Sequence, residues 1–259
     1  MLVPVMFLLA ALTTGFGAAP PVPPDTTTSP IPADARQLVL VVTDDWTATT
    51  GRLRRFERDG ATWRRVGAPV EVVVGRSGLG WGRGLHETPA TGPTKAEGDG
   101  RAPAGAFRLT AAFGYAETET TGLPYLPSRE TSVCVDDSAS PFYNAVFDAD
   151  TLGVPASWTS RERMRRSDGL YRIGVVVAHN GSGLDPSVAS EHLTPTPGGG
   201  SCIFLHVWRG PQTTTAGCTA MPDAALQDVL AWLDDAADPV LVQLPASDYR
   251  RLRAAWGLP

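Results

Sequence analysis

Hydrophobic and polar residues alternate over short stretches along most of the chain from Gln37 onward. Alternation with a period of two is the pattern of half-buried β-strands, and turn-forming residues separate the stretches. The clearest stretches read LVLVVTD, AFRLTAAFGYA, YRIGVVVAHN, SCIFLHVW and PVLVQL. The stretch RLRRFERDGATWRRV predicts a β-hairpin, because its Asp59-Gly60 dipeptide favours a tight turn between two strands.

Three segments have a helical pattern instead. The strongest is MPDAALQDVLAWLDDAAD, which places four apolar residues on one helical face: Leu226, Val229, Leu230 and Leu233. In TSRERMRR, Thr159 lies three residues before Glu162, which is the spacing of a capping box. SDYRRLRAAW predicts a short helix near the end of the sequence. Because strands outnumber helices, we predict a mainly β fold, largely antiparallel, with a few packed α-helices.

The N-terminal region predicts export. Residues 1–19 are apolar and then small, as in a signal peptide or an N-terminal anchor. Residues 20–36 are rich in proline and threonine and predict an extended linker, which leaves 37–259 as one folded domain. We therefore expect an extracytoplasmic protein, in the cell wall or periplasm, with no further membrane segment.

Composition and charge exclude several classes of protein. Hydrophobic residues make up 42% and charged residues 19% of the 259 residues, as in a globular domain. The net charge of −5 gives no basic surface for nucleic acid, and the arginines within 161–166 are expected on a solvated face. Cysteine and histidine spacings fit no metal motif, so neither a metal nor another cofactor is predicted.

Cys218 lies in the stretch TTTAGCTAM, twelve residues after His206. We expect it on a strand-to-helix turn, just before the helix that begins near Pro222. The free N–H groups and the partial positive charge of a helix N-terminus favour a thiolate and can hold an oxyanion. The alternative is a buried structural cysteine, which is a common fate of this residue. The pattern alone does not decide between the two.

Two motifs resemble the signature of the L,D-transpeptidase (YkuD-type) catalytic domain, in a divergent branch. One is FLHVWRGPQTTTAGCTAM, and its matching residues are His206, Thr215, Gly217, Cys218 and Thr219. The other lies upstream of it and is GDGRAPAGAFRL, with Asp99, Gly100, Pro103, Gly105 and Phe107. The resemblance covers roughly 37–245 and implies an antiparallel β-sandwich with the active site over one sheet.

The resemblance also implies roles for individual residues. Cys218 would be the nucleophile that attacks a stem-peptide carbonyl, and His206 would activate the thiol and shuttle its proton. The backbone carbonyl of Val207 would orient the histidine ring, and the N–H groups of Gly217 and Cys218 would form an oxyanion hole. An amine from a second stem peptide would then resolve the thioester and form a peptidoglycan cross-link.

The sequence departs from the family pattern at Val207, where glycine or serine is common, and at Ala216, where a second histidine is common. The alternatives to a transpeptidase are an L,D-carboxypeptidase or an amidase that uses the same cysteine, or a non-catalytic wall-binding domain. The expected partners are peptidoglycan stem peptides and not nucleic acid. The oligomeric state is not predicted.

Further residues are weaker candidates for substrate binding. Trp208 and Arg209 follow the histidine and would form the rim of the site, where Arg209 could pair with a peptide carboxylate. The other candidates are Thr215, Asp136, Asp137, Tyr143, Asn144 and His179. The aspartates would bind a substrate amine or, alternatively, cap turns, and His179 would face the site or end a strand. Cys134 and Cys202 would pair as a disulfide in an oxidising compartment or remain two buried thiols.

Overall fold

The computed structural model describes residues 1, 29–87, 89, 91–151, 153, 157–181 and 194–259. The predicted signal peptide or anchor and most of the predicted linker lie outside the described residues. The strands are β1 Gln37–Thr43, β2 Thr50–Asp59, β3 Thr62–Val73, β4 Leu79–Trp81, β5 Ala102–Gly114, β6 Tyr125–Pro127, β7 Ser132–Cys134, β8 Val146–Asp148, β9 Glu162–Arg163, β10 Ile173–Val177, β11 Phe204–Val207, β12 Thr219–Met221 and β13 Val240–Pro245. The α-helices are α1 Asp223–Trp232 and α2 Ala246–Leu252, and short 3-10 turns cover Ala149–Thr151, His179–Gly181 and Asp235–Ala237.

The main sheet has ten strands and closes on itself. Nine strands have the order β10-β11-β12-β3-β2-β1-β13-β5-β4, and the tenth, β6, pairs with β5. The additional pairing of β10 with β5 joins the two sides into a barrel-like arrangement. A smaller sheet has the order β8-β7-β9. The predicted mainly β class is therefore confirmed.

The strand directions correct the expectation of an antiparallel sandwich. β1 pairs with β13, β11 with β12, and β5 with both β4 and β6 in parallel register. Parallel neighbours require a crossover connection, and the segment between β11 and β12 is one of these. Alternation along a strand reports which face is buried but not the direction of the neighbouring strand, so the sequence pattern did not reveal this feature.

The predicted hairpin is confirmed. β2 pairs with β3 in antiparallel register out to Asp59 opposite Thr62. Gly60 has a φ of +57°, which glycine adopts at low cost. A local turn signal was sufficient here because both strands and the turn are contiguous in sequence.

Of the three predicted helices, two are present. α1 buries Leu226, Val229 and Leu230 on its apolar face, and α2 occupies the predicted position after β13. The helix predicted from Thr159 is wrong, because Glu162 and Arg163 form β9 against β7. Tertiary contacts replace the capping box: Thr159 donates both its N–H and its hydroxyl to Asp137.

The folded part extends upstream of the predicted boundary at Gln37. Ile31 and Ala35 are buried in the core cluster that also contains α2 residues, and Ser29 Oγ donates to the carbonyl of Trp256. Residues 29–36, the part of the predicted linker that the structure describes, therefore belong to the packed domain. Within the residues that the structure describes, no helix is long and apolar enough to cross a membrane.

Candidate active site

Two neighbouring strands position the histidine and the cysteine. β11 and β12 are parallel, with His206 opposite Ala220 in their register. Cys218 comes immediately before β12 and two residues before Ala220, so alternation places its sulfur on the same face as the His206 ring. Both side chains line one cleft of about 360 Å³. Its wall also includes Glu162, Arg166, Tyr171, Trp208, Arg209 and Thr215.

The His206 ring is held in one orientation. Its Nδ1 lies 2.8 Å from the carbonyl oxygen of Val207, which can only accept a hydrogen bond. We therefore assign the proton to Nδ1, which leaves Nε2 as a proton acceptor. The ring of Tyr171 packs edge-on against it at a centroid distance of 5.3 Å. Burial lowers the pKa of His206 to about 4, although the bond to Val207 opposes this shift.

The Cys218 thiol is also held in its uncharged form. It is 7% exposed, and its sulfur lies 3.4 Å from both the N–H of Phe204 and the carbonyl oxygen of Cys202. The thiol can donate to that carbonyl while it accepts from Phe204. Burial raises the pKa of Cys218 to about 12, and the negative charge of Glu162 adds to the effect.

This arrangement corrects two expectations. Cys218 precedes β12 rather than a helix, and α1 begins only at Asp223, so no helix N-terminus supports a thiolate at the sulfur. The thiol and the imidazole are therefore both neutral near pH 7. Among the described residues, no hydrogen bond joins the His206 ring to the Cys218 sulfur.

Thr215 fixes the loop that carries the cysteine. Its hydroxyl donates to the carbonyl oxygen of Cys218 at 2.6 Å and accepts the N–H of Gly217 at 3.1 Å. The N–H of Gly217, which was expected in an oxyanion hole, is thus already bonded within the loop. Gly217 is also closely packed, since a Cβ at this position would lie 3.0 Å from the carbonyl oxygen of Arg101.

A disulfide bond anchors the residue whose carbonyl group accepts a hydrogen bond from the Cys218 thiol. Cys134 is bonded to Cys202, whose carbonyl is the acceptor for the Cys218 thiol. The N–H of Cys202 donates to Asn144 Oδ1 at 2.9 Å. Cys218 is consequently the free cysteine of a chain that contains three.

Comparison with known proteins identifies the family. Residues 36–242 match the L,D-transpeptidase catalytic domain family, YkuD. The chain belongs to this family. It is similar to the solved structure of Bdellovibrio bacteriovorus Bd1075, with 12% sequence identity, a TM-score of 0.38 and coverage of 88% of this chain. The chain spans only 57% of the length of that protein. No curated protein matches the sequence.

Three predicted substrate-binding residues of this L,D-transpeptidase domain are structural instead. Tyr143 donates its hydroxyl to Glu97 at 2.6 Å, and Asn144 donates its side-chain amide to the carbonyls of His179 and Asn180. His179 is fully buried, with Nε2 3.0 Å from the carbonyl oxygen of Gly199. Burial lowers its pKa to about 3. None of the three lines the cleft.

The two predicted aspartates also differ from the expectation of substrate binding. Asp137 accepts from the N–H of Ala139 and from Thr159, which is the turn-capping alternative. These bonds lower its pKa. Asp136 has one carboxylate oxygen, Oδ1, that is buried without a hydrogen-bond partner among the described residues. Neither aspartate belongs to the wall of the cleft.

The rim of the L,D-transpeptidase cleft is charged. Arg209 and Arg166 both pair with Asp168, at 2.8 Å and 2.7 Å, and the Arg166 guanidinium lies over the Tyr171 ring. Trp208 lies in the same wall. The two arginines keep substantial exposure, and the binding roles predicted for Trp208 and Arg209 stay predictions.

Sequence reasoning missed Tyr171 and Glu162. Tyr171 OH donates to Glu162 Oε2 at 2.7 Å, and Tyr171 also packs on Phe204 in the core beneath the cysteine. The sequence pattern predicts a helix-capping role for Glu162 and places Tyr171 at the start of a strand. A tyrosine beside an apolar strand carries no signal of its own, since its partner lies in a different strand, β9.

Proposed function

We propose that this domain is a cysteine acyltransferase that cross-links peptidoglycan stem peptides. The observation that carries the proposal is the shared cleft, which is lined by the Cys218 thiol and by a histidine whose Nδ1 is fixed on Val207. Membership of the L,D-transpeptidase family supports the substrate class. Such substrates lie outside the cytoplasmic membrane, in agreement with the predicted export signal.

The first half-reaction forms a thioester. The Cys218 sulfur attacks the carbonyl on the L-centre of the third stem-peptide residue while its proton moves to Nε2 of His206. The tetrahedral intermediate then expels the terminal D-alanine, whose nitrogen takes the proton back from His206. The N–H of Cys218, and that of Gly217 once released from Thr215, would bind the oxyanion.

The timing of the proton follows from the two pKa values. A thiol of pKa about 12 and an imidazole of pKa about 4 differ by 8 units, so forming the ion pair first would cost about 11 kcal/mol before their mutual attraction is counted. We therefore expect the proton to leave the sulfur as the bond to carbon forms. His206 then acts as a general base during the attack, and no thiolate–imidazolium ion pair forms beforehand.

The second half-reaction decides between two products. If an amine of a second stem peptide attacks the thioester, the product is a cross-linked dimer. If water attacks, the product is a trimmed monomer and the domain is an L,D-carboxypeptidase. The same cysteine and histidine serve both outcomes.

The test is intact-protein mass spectrometry after incubation with a tetrapeptide muropeptide. We expect an adduct confined to Cys218, absent from Cys218→Ala and from His206→Ala, together with dimeric muropeptides. Thr214→Val is the matched control, because Thr214 lines the same cleft without a described hydrogen bond. If the wild type forms no adduct and Cys218→Ala gives the same products as the wild type, the domain is not a catalyst.

A further inference from the structure

Glu162 lies at the junction of two clefts. It lines the cleft of Cys218 and His206, and it also lines a second cleft of about 770 Å³. The second cleft is rich in arginine, from Arg161 and Arg163 to Arg165. Glu162 therefore contributes to the walls of both clefts.

One oxygen of Glu162 is occupied and the other is available. Oε2 accepts the Tyr171 hydroxyl at 2.7 Å. Oε1 has no hydrogen-bond partner among the described residues, and it keeps some exposure to solvent. Arg166, which lines both clefts, pairs with Asp168 at 2.7 Å. Among the described side chains, none forms a direct ion pair with the Glu162 carboxylate, and the charge of Arg166 acts on it from beyond ion-pair distance.

The arginines near Glu162 do not neutralise it through a direct ion pair, since Arg165 pairs with Glu130 and Arg166 with Asp168. Desolvation raises the pKa of Glu162, and the neighbouring Asp136 and Glu97 add to the shift, while the Tyr171 hydroxyl and the charge of Arg166 oppose it. Glu162 is half-buried, and a carboxylate withdrawn from water is costly unless a cation accompanies it. An ammonium group in the cleft would relieve this cost, whereas a water molecule would relieve little of it.

We propose that Glu162 receives the ammonium group of the acceptor stem peptide and so selects an amine over water as the group that resolves the thioester. The inference rests on the proposed function and adds a specificity-determining residue to it. Its position in the same wall as Cys218 brings the bound nitrogen toward the thioester carbon. The second cleft, with Arg161 and Arg163, then holds the carboxylates of the acceptor peptide.

The proton balance of the step is complete. The acceptor ammonium gives one proton to the Glu162 carboxylate and becomes a neutral amine. Its nitrogen attacks the thioester carbonyl, a second proton passes to Nε2 of His206, and the carbon–sulfur bond breaks. His206 returns its proton to the sulfur of Cys218, and Glu162 releases the first proton to water. The products are an amide and the free thiol.

The experiment measures how the thioester partitions. Wild type, Glu162→Gln, Glu162→Asp and Glu87→Gln are given a tetrapeptide donor and increasing amounts of an amine-bearing acceptor peptide, and dimers and trimmed monomers are quantified. For Glu162→Gln we expect the dimer-to-monomer ratio to fall at least tenfold, through a higher KM for the acceptor. Glu162→Asp should recover part of the ratio. Glu87→Gln, which removes an exposed carboxylate that lines neither cleft, should behave as wild type.

A measurement on the wild type covers the case in which Glu162→Gln does not fold. An acceptor peptide whose amine is trimethylated cannot attack, but it should compete with dimer formation while hydrolysis continues. If it does not compete, or if Glu162→Gln forms the thioester and keeps the wild-type ratio within twofold, Glu162 does not select the acceptor. Failure of the proposed function gives a different result, since then the wild type itself forms no adduct at Cys218.

Discussion

Without substrate, the Cys218 thiol should react with an alkylating reagent far more slowly than an ordinary thiol. Its pKa is raised from 9.0 to about 12, first by burial and then by the charge of Glu162. Because the thiolate is the reacting species, three pKa units reduce the reactive fraction roughly a thousandfold at any pH well below 9, equivalent to about 4 kcal/mol. The disulfide removes the other two cysteines from the reaction.

Iodoacetamide labelling followed by intact mass measures this directly. Rates are recorded in half-unit steps from pH 6.5 to pH 10, with a small free thiol as reference. Since the thiol stays protonated over this range, we expect the labelling rate to rise about tenfold per pH unit without a plateau. Steric shielding alone would also slow the reaction, but it would leave a plateau just above pH 9.

An inflection below pH 8 would refute the reasoning, because it would mean that the thiolate is stabilised near neutral pH. Glu162→Gln supplies an internal check. It removes the second cause of the raised pKa, so the labelling rate at pH 8 should increase severalfold. Glu130→Gln should leave it unchanged, since Glu130 is not in the wall of the catalytic cleft.

Three further predictions concern the scaffold of the site. Thr215→Val removes both hydrogen bonds of the cysteine loop and should lower the rate of thioester formation at least tenfold, while Thr214→Val stays within twofold of wild type, both followed by intact mass. Replacing Cys134 and Cys202 together by alanine should lower the unfolding free energy in urea by about 4 kcal/mol, as expected for a cross-link spanning 68 residues; a loss under 1 kcal/mol would contradict this. His179 has a folded pKa of about 3, below its unfolded value of 6.5, so the unfolded chain binds the extra proton between these pH values and stability falls as the pH drops. In urea titrations at pH 7, 6 and 5, the loss of stability from pH 7 to pH 5 should therefore be smaller for His179→Gln than for wild type by about 2 kcal/mol, most of it below pH 6, and an equal loss would exclude this role.

Local signals in the sequence predicted the features that local geometry determines. The Asp59-Gly60 turn and the apolar face of α1 each depend on residues close in sequence, and both are present. The apposition of His206 and Cys218 followed from the family motif rather than from periodicity. The predictions that were wrong depended on contacts between residues distant in sequence. The helix predicted from Thr159 does not form, and Thr159 donates its N–H and its hydroxyl to Asp137 instead.

The protonation state of the Cys218 thiol could not be predicted from the sequence, because it too depends on contacts between residues distant in sequence. A glycine-flanked cysteine before an apolar helix predicts a stabilised thiolate only if the cysteine adjoins that helix. The strand β12 separates the two, and the sulfur is enclosed by Phe204 and Cys202, whose positions depend on the sheet and the disulfide. The buried hydrogen bond between Tyr171 and Glu162 joins two strands and had no local signal.

Glu162 should act on the two half-reactions with opposite signs. Its charge raises the pKa of the Cys218 thiol, which opposes the proton transfer to His206 that accompanies thioester formation. The same charge holds the acceptor ammonium in our proposal, which favours the second half-reaction. Glu162→Gln should thus accelerate thioester formation and slow its aminolysis, a pair of effects that simple loss of structure cannot produce because it would slow both. Retaining a carboxylate that hinders the first step is reasonable only if the second step, and not acylation, limits the formation of cross-links.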